Sequence, residues 1–408
     1  MSGTSGILPW AMVAFLEVSQ LVVPKQRHTY SPVMPHISCS KHCIQHADFT
    51  GINWLDLGAG LHYGFATMST DTGHSSTIVD GTWAYNEPEK LNDWGYRAMH
   101  ESIILSKQIV TAFYEQPIDY SYYSGCSTGG RQGLLEIQLH PESFNGVLAG
   151  APPWWFKYLQ PYAAWLGKLN SDHPAGTNPG HIPASLFPAI EAEVMRQCDP
   201  SDGLVDGIIT DPRMCHFQYE ALLCKGSSST TTACLTAAQL DTLVQIYHPY
   251  METNNTFVSP GLELGSEAEW PVLLGDPNGG CPLGFGYVQN YMGKGEDWSW
   301  KDFDYSIIQE ADATDPGAAT ADDFDLSPFQ ARGGKLLQYH GYADAYIPPG
   351  MSVYFYERVM HTLVPQGLEL DGWYRLFMVP AGGHCAGSSV GAPWYFAGNI
   401  ATAICFMS

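Results

Sequence analysis

The chain has 408 residues, 45% of them hydrophobic, enough to bury a sizeable core as one large domain with an insertion or as two domains. Its 41 acidic against 18 basic residues give a net charge of −23, which repels phosphate backbones and anionic membrane surfaces and argues against nucleic acid as a partner. Only 14% of residues are charged, whereas 42 Gly, 28 Pro, 12 Trp and 23 Tyr predict a neutral, loop-rich, aromatic surface suited to sugars or phenolic rings.

In chain order, residues 7–15 form an apolar run with no basic stretch before it. Glu17, Ser19 and Gln20 interrupt it, so it reads neither as a signal peptide nor as a transmembrane helix. Residues 64–70 read as a buried strand ending in the loop Asp71-Thr-Gly-His74. A helix is predicted over 93–113, capped by Asp93, from the spacing of Met99, Ile103, Ile104, Ile109 and Val110. The Tyr-rich stretch 118–124 is β-prone, and Gly129-Gly130 leads into a helix carrying Leu134, Leu135, Ile137 and Leu139. Further strands are expected at 144–149, 335–339 and 375–379. Strands alternating with helices predict a mostly parallel α/β sheet.

Between about 155 and 330 Pro, Gly, Ser and Thr accumulate, and Cys198, Cys215, Cys224 and Cys234 lie close together. This reads as an inserted cap (lid) domain of residues 156–330, dividing a catalytic domain of 1–155 and 331–408. The polar tract 227–233 between Cys224 and Cys234 suits a disulfide-closed surface loop. The ten cysteines lack paired C-x-x-C zinc spacing, so disulfides in an oxidising, extracellular setting are expected. The sequon at Asn254 accords with a secreted glycoprotein.

Gly125-Cys126-Ser127-Thr128-Gly129 fits G-x-S-x-G, in which glycines allow a sharp strand-to-helix turn that projects the serine. The N–H of the following residue, here Thr128, then faces a developing oxyanion. In α/β-hydrolase sheets the acid and the histidine follow the nucleophile in that order, and Asp344 and His384 sit beyond later strands. Cys126 precedes Ser127 and Cys385 follows His384, so one disulfide would hold nucleophile and base in neighbouring loops. Trp154, Trp155, Tyr158, Tyr162, Trp298 and Trp300 are candidates to line an aromatic pocket, or to fill a core. Asp199, Asp202 and Asp206, spaced with glycines in 198–208, form an all-oxygen set that suits Ca²⁺ or a solvated loop.

With Cys126-Ser127, Asp344 and His384-Cys385 in view, the sequence resembles the tannase and feruloyl esterase family, closest to fungal feruloyl esterase B-like enzymes. The resemblance also rests on Ser69-Thr-Asp-Thr-Gly-His74, Gly125 to Gln132, Gly150-Ala-Pro-Pro153 and Ala331 to Lys335, and runs from about Phe49 to Pro393. It implies an α/β-hydrolase fold with a large inserted cap, and a Ser127, His384, Asp344 triad with bridged cysteines. It also implies structural calcium on the carboxylates of Asp199, Asp202 and Asp206 and the carbonyls of Leu204 and Ile208, in a loop closed by Cys198–Cys215. The implied activity is release of hydroxycinnamic acids such as ferulate from plant cell-wall polysaccharide esters. Galloyl esters of tannins, and an impaired family member acting as a binding protein, are the alternatives, and a homodimer is possible. Residues 1–45 resemble nothing in the family: 41–47 replace a Gly-rich oxyanion loop, and relatives continue beyond Pro393. The chain therefore reads as altered at both ends, with partners for Cys39, Cys43, Cys281 and Cys405 unassigned.

Overall fold

The computed structural model describes residues 13–15, 36–41, 60, 65–77, 79–224, 234–275 and 281–388. Its main sheet runs in the order β1, β3, β2, β4, β5, β8, β9. Here β1 is Val13–Phe15, β2 His36–Lys41, β3 Phe65–Thr70, β4 Ser121–Cys126 and β5 Gly146–Gly150, with β8 at Lys335–Gly341 and β9 at Tyr374–Val379. Neighbours are parallel except β1 with β3. β6 (Tyr250–Met251) and β7 (Phe257–Ser259) pair apart from it, within the segment between β5 and β8. The parallel α/β architecture expected from the alternation of elements is therefore present.

Residues 1–45 were expected to stand outside the family pattern, yet 36–41 enter the sheet as β2, flanked by β3 and β4. The helix expected at 93–113 also differs. Helical structure begins at Pro88, whose fixed φ suits a first turn, passes through a π turn at Asp93–Arg97, and continues as α1 (Ala98–Tyr114). Asp93 is thus inside the run and not its cap; its carboxylate accepts from Arg97 Nε at 2.6 Å. The buried stripe of α1 is Met99, Ser102, Ile103, Ser106 and Val110, while Ile104 and Ile109 face outward.

α2 (Thr128–Leu139) follows β4 directly. Tyr123, Val147, Leu336 and Tyr374 of the sheet share a core with Leu134 and Ile137 of α2 and with Phe355 and Val359 of α7 (Gly350–Leu363). A second core lies in the segment between β5 and β8, which carries α3 (Phe156–Asn170), α4 (Phe187–Cys198), α5 (Ala237–Tyr247) and α6 (Tyr305–Thr314). Arg131, fully buried on α2, ties the two together. Its Nη1 donates to Gly95 O at 2.9 Å and Ala319 O at 2.8 Å, and its guanidinium lies 4.5 Å over the Trp94 ring.

Cys198–Cys215 and Cys224–Cys234 are disulfides, with Cα separations of 5.3 Å and 4.9 Å, as expected. The tract 227–233 between the second pair lies outside the described residues. Cys281 is buried as a free thiol, the Cys39 backbone runs in β2, and Cys43 and Cys405 lie outside the described residues. Among the described residues no helix is long and apolar enough to cross a membrane.

Candidate active site

At the C-terminal end of β4 the chain turns sharply into α2, and Ser127 sits on that turn with φ 58° and ψ −129°. A non-glycine residue holds such a conformation only when its surroundings enforce it. Here Ser127 N–H donates to Gly150 O at 2.9 Å and Ser127 O accepts from Arg131 N–H at 3.1 Å. The flanking glycines are required by space. A Cβ on Gly125 would meet the Gly129 carbonyl carbon at 2.8 Å, and one on Gly130 would meet Gly150 O at 2.3 Å. Thr128 is the first residue of α2, so its N–H has no acceptor within the helix and is available at the helix N-terminus.

β8 ends in the loop that carries Asp344, and β9 in the loop that carries His384. His384 Nδ1 donates to Asp344 Oδ2 at 2.7 Å, which leaves Nε2, across the ring, as the nitrogen that can take a proton from an alcohol. Asp344 is wholly buried and its carboxylate is saturated with donors. Oδ2 also accepts from His340 Nε2 at 3.0 Å, and Oδ1 accepts from the N–H groups of Tyr346 and Ile347 at 2.9 Å and 3.0 Å. Burial alone would raise the pKa of this carboxyl, but the charge of His384 and the hydrogen bonds from His340 and His384 hold it well below the usual carboxylate range. For His384, burial disfavours the charged ring. The charge and hydrogen bond of Asp344, with a smaller contribution from Glu269, outweigh burial and raise its pKa above the ordinary imidazole value.

Behind Asp344 the polar chain continues into the core. His340 Nε2 also donates to Ile347 O at 3.0 Å, fixing the proton on that nitrogen, and Nδ1 faces Ser352 Oγ at 2.7 Å. Ser352 accepts from Gln338 Nε2 at 2.8 Å, and Gln338 Oε1 accepts from Tyr374 OH at 2.6 Å. Every member is buried, and the donors and acceptors run in one consistent direction. His340 and this chain were not singled out from sequence; the Q-x-H spacing at 338–340 carries no distinctive signal.

Cys126 and Cys385 form the expected disulfide, with Cα atoms 5.7 Å apart, so the loops carrying Ser127 and His384 are covalently joined. Ser127, Thr128 and His384 line one pocket together with His74, Trp83, Trp94, Phe156, Tyr287, Tyr291 and Tyr346. The His74 ring stacks on Trp83 with centroids 4.0 Å apart, and Tyr346 lies against His384 at 5.0 Å. None of the six aromatic residues proposed from sequence lines this pocket. Trp154 and Tyr162 are core, Trp155 packs on Tyr158, Trp298 packs against Phe285, and Trp300 lies under Lys301. Besides His384, the rings that do line it come from 74, 83–94, 156, 287–291 and 346, positions whose convergence no local pattern announces.

Lys41, the last residue of β2, is in register with Gly125, two residues before Ser127. Lys41 opens the segment 41–47 expected to replace an oxyanion loop, and its remainder, 42–47, lies outside the described residues. Far along the chain, Asp199 is buried and accepts from the N–H groups of Asp206 and Gly207. Asp202 accepts from Leu204 N–H and the Thr210 hydroxyl, and Asp206 from Ile208 N–H. Among the described residues no three His, Cys, Asp or Glu side chains converge as around a metal. The donor types suit a hard cation, while the carboxylates are engaged with the loop's own donors.

A family model described as tannase and feruloyl esterase matches residues 38–268 and 307–404, wider at both ends than the stretch legible by eye. A probable feruloyl esterase B-2 of Aspergillus terreus is 36% identical over 338 residues, covering 82% of this chain and 62% of that protein. The chain thus spans less than two thirds of the length of that relative. The crystal structure of feruloyl esterase B from Aspergillus oryzae superposes with a TM-score of 0.79 at 33% identity, covering 87% of this chain and 69% of that one. Tannin acyl hydrolase from Aspergillus niger shares the fold, with a TM-score of 0.72 at 23% identity over 91% of this chain and 73% of its own.

Proposed function

The chain belongs to the tannase and feruloyl esterase family, and from that premise we propose that it hydrolyses carboxylic esters of aromatic acids, with Ser127 as nucleophile, His384 as base and Asp344 as its orienter. The observation that carries this reading is the Asp344–His384 pair bonded through Nδ1 and bridged by Cys385–Cys126 to the strained turn at Ser127. Ser127 Oγ attacks the ester carbonyl carbon as His384 Nε2 takes the hydroxyl proton. The carbonyl oxygen, now anionic, accepts from Thr128 N–H. Collapse breaks the bond to the alcohol, which leaves with the proton from His384. Water, deprotonated by the same nitrogen, then releases the acid and restores Ser127.

The acyl groups proposed are hydroxycinnamates such as ferulate on plant cell-wall polysaccharide. The ring-lined pocket and the names of the relatives support this substrate class. Secretion is proposed on the three disulfides, which persist in oxidising compartments. The test is hydrolysis of methyl ferulate and methyl gallate by the chain and by Ser127→Ala. Release of ferulate that vanishes in the variant is expected, preferential release of gallate would reassign the acyl group, and no Ser127-dependent release of either would leave only a binding role.

A structural calcium ion is proposed on Asp199, Asp202 and Asp206 with the carbonyls of Leu204 and Ile208, in the loop closed by Cys198–Cys215. The expected result is bound calcium by metal analysis and a lower melting temperature in chelator. A metal-free protein whose melt chelator leaves unchanged would refute it.

A further inference from the structure

We propose that Glu269, carried by the segment inserted between β5 and β8, is a positioning residue of this site: its carboxylate clamps the acid-bearing loop to the base-bearing loop, and its charge biases the imidazole of His384. Oε1 accepts from His384 N–H at 3.0 Å and Oε2 accepts from Ala345 N–H at 3.1 Å, so one carboxylate bridges the backbones beside base and acid. Its approach depends on glycine at 383, where a Cβ would meet Oε1 at 2.5 Å. The inference rests on the reading of Ser127, His384 and Asp344 as the hydrolytic machinery.

Glu269 is held on a rigid support. It closes a short 3-10 turn, Glu267–Glu269, and Trp270 after it is fully buried, with its indole N–H on Ser266 Oγ at 3.0 Å and its ring against Phe187 and Tyr247. Glu267 turns the other way, to Tyr247 OH and Gly265 N–H. The inserted segment therefore reaches the catalytic loops through an anchored carboxylate, and a support of this kind fixes the geometry of the groups it holds. The titratable groups facing it are Asp344, His384 and Tyr346, with His340 beyond Asp344. Removal from water and the nearby Asp344 push the Glu269 carboxyl up to about 7, against the opposing pull of His384. As pH falls through that range Glu269 loses its charge and one acceptor of the clamp.

The experiment compares Glu269→Gln with the parent chain in kcat, KM and the pH profile of kcat/KM on an aromatic methyl ester, with Ser127→Ala as control. Glutamine keeps the shape but removes the charge that favours protonated His384, and it turns a donor toward one of the two N–H groups. The acidic limb should move to lower pH, and kcat should fall, on the order of 10²-fold if the imidazole shifts by an ångström, with KM little changed. Gly383→Ala, which displaces Oε1 and touches little else, should reproduce the shift in part and carries the test if Glu269→Gln does not accumulate folded. Ser127-dependent hydrolysis with an unmoved acidic limb in both variants overturns the proposal, whatever happens to their melting temperatures. Hydrolysis that survives Ser127→Ala overturns the reading of Ser127 as nucleophile instead.

Discussion

Asp344 concentrates the electrostatics of the site. A carboxylate that accepts from two imidazoles and two backbone N–H groups is kept ionised, and it favours protonated His384. The consequences run in opposite directions with pH. The depressed Asp344 contributes stability that is fully present above the unfolded carboxylate value of about 3.9 and is lost as pH falls through its folded value. The raised His384 contributes stability that is present below about 6.5 and lost as pH rises through its folded value. Catalysis needs the imidazole unprotonated, so the acidic limb of kcat/KM should lie above the ordinary imidazole value. Asp344→Asn should lower kcat by about 10⁴-fold, because the tautomer of His384 is no longer fixed, and should bring the limb down. A pH–rate profile of the two proteins checks both, and an unmoved limb would detach Asp344 from His384. Ser127, Asp344 and His384 were legible because a pentapeptide, a strand-end position and the neighbouring cysteines each constrain chemistry locally. Glu269 was not, because nothing near it in sequence marks the loops it touches; His340, only four residues before Asp344, was not, because its residue type and spacing do not say which group its ring bonds.

At the scale of elements, the strand, turn and helix around Ser127 were predicted in type and nearly in extent. The expected 118–124 strand is Ser121–Cys126, and the helix after it is Thr128–Leu139. Such a unit is read from Gly positions and apolar spacing, which are local facts. The errors were of a different kind. Asp93 satisfies a capping pattern, yet the helical run extends back to Pro88 and uses the carboxylate for Arg97. In α1 two serines occupy the buried stripe while Ile104 and Ile109 face out, so apolar identity alone misassigned the face. The tryptophans 154 and 155 follow β5 closely; Trp154 is buried in the core of the sheet with Nε1 bonded to Met351 O at 2.8 Å, and Trp155 stacks on it. Position relative to an element, and not aromatic character, decides whether a ring packs a core or meets a substrate.

For the whole molecule, Cys126–Cys385 joins residues separated by 259 positions, so it closes nearly two thirds of the chain into a loop. Replacing both cysteines with serine should reduce stability by about 2–5 kcal/mol and lower kcat, since both catalytic loops lose their covalent link. Urea denaturation and ester hydrolysis of the variant check this, and an unchanged midpoint and rate would reduce the bond to an incidental one. Sequence by itself determined the α/β class, the family, the candidate nucleophile, acid and base, and two of the disulfides, with Cys198–Cys215 coming from the family resemblance, because glycine placement, cysteine adjacency and strand–helix alternation are written into contiguous residues. The tertiary structure alone decided which rings line the pocket, how 36–41 join the sheet, and that the carboxylate of Glu269, from the segment between β5 and β8, bonds to the loops carrying Asp344 and His384. These depend on where distant segments meet once two cores have packed, with Arg131 and Glu269 spanning the join.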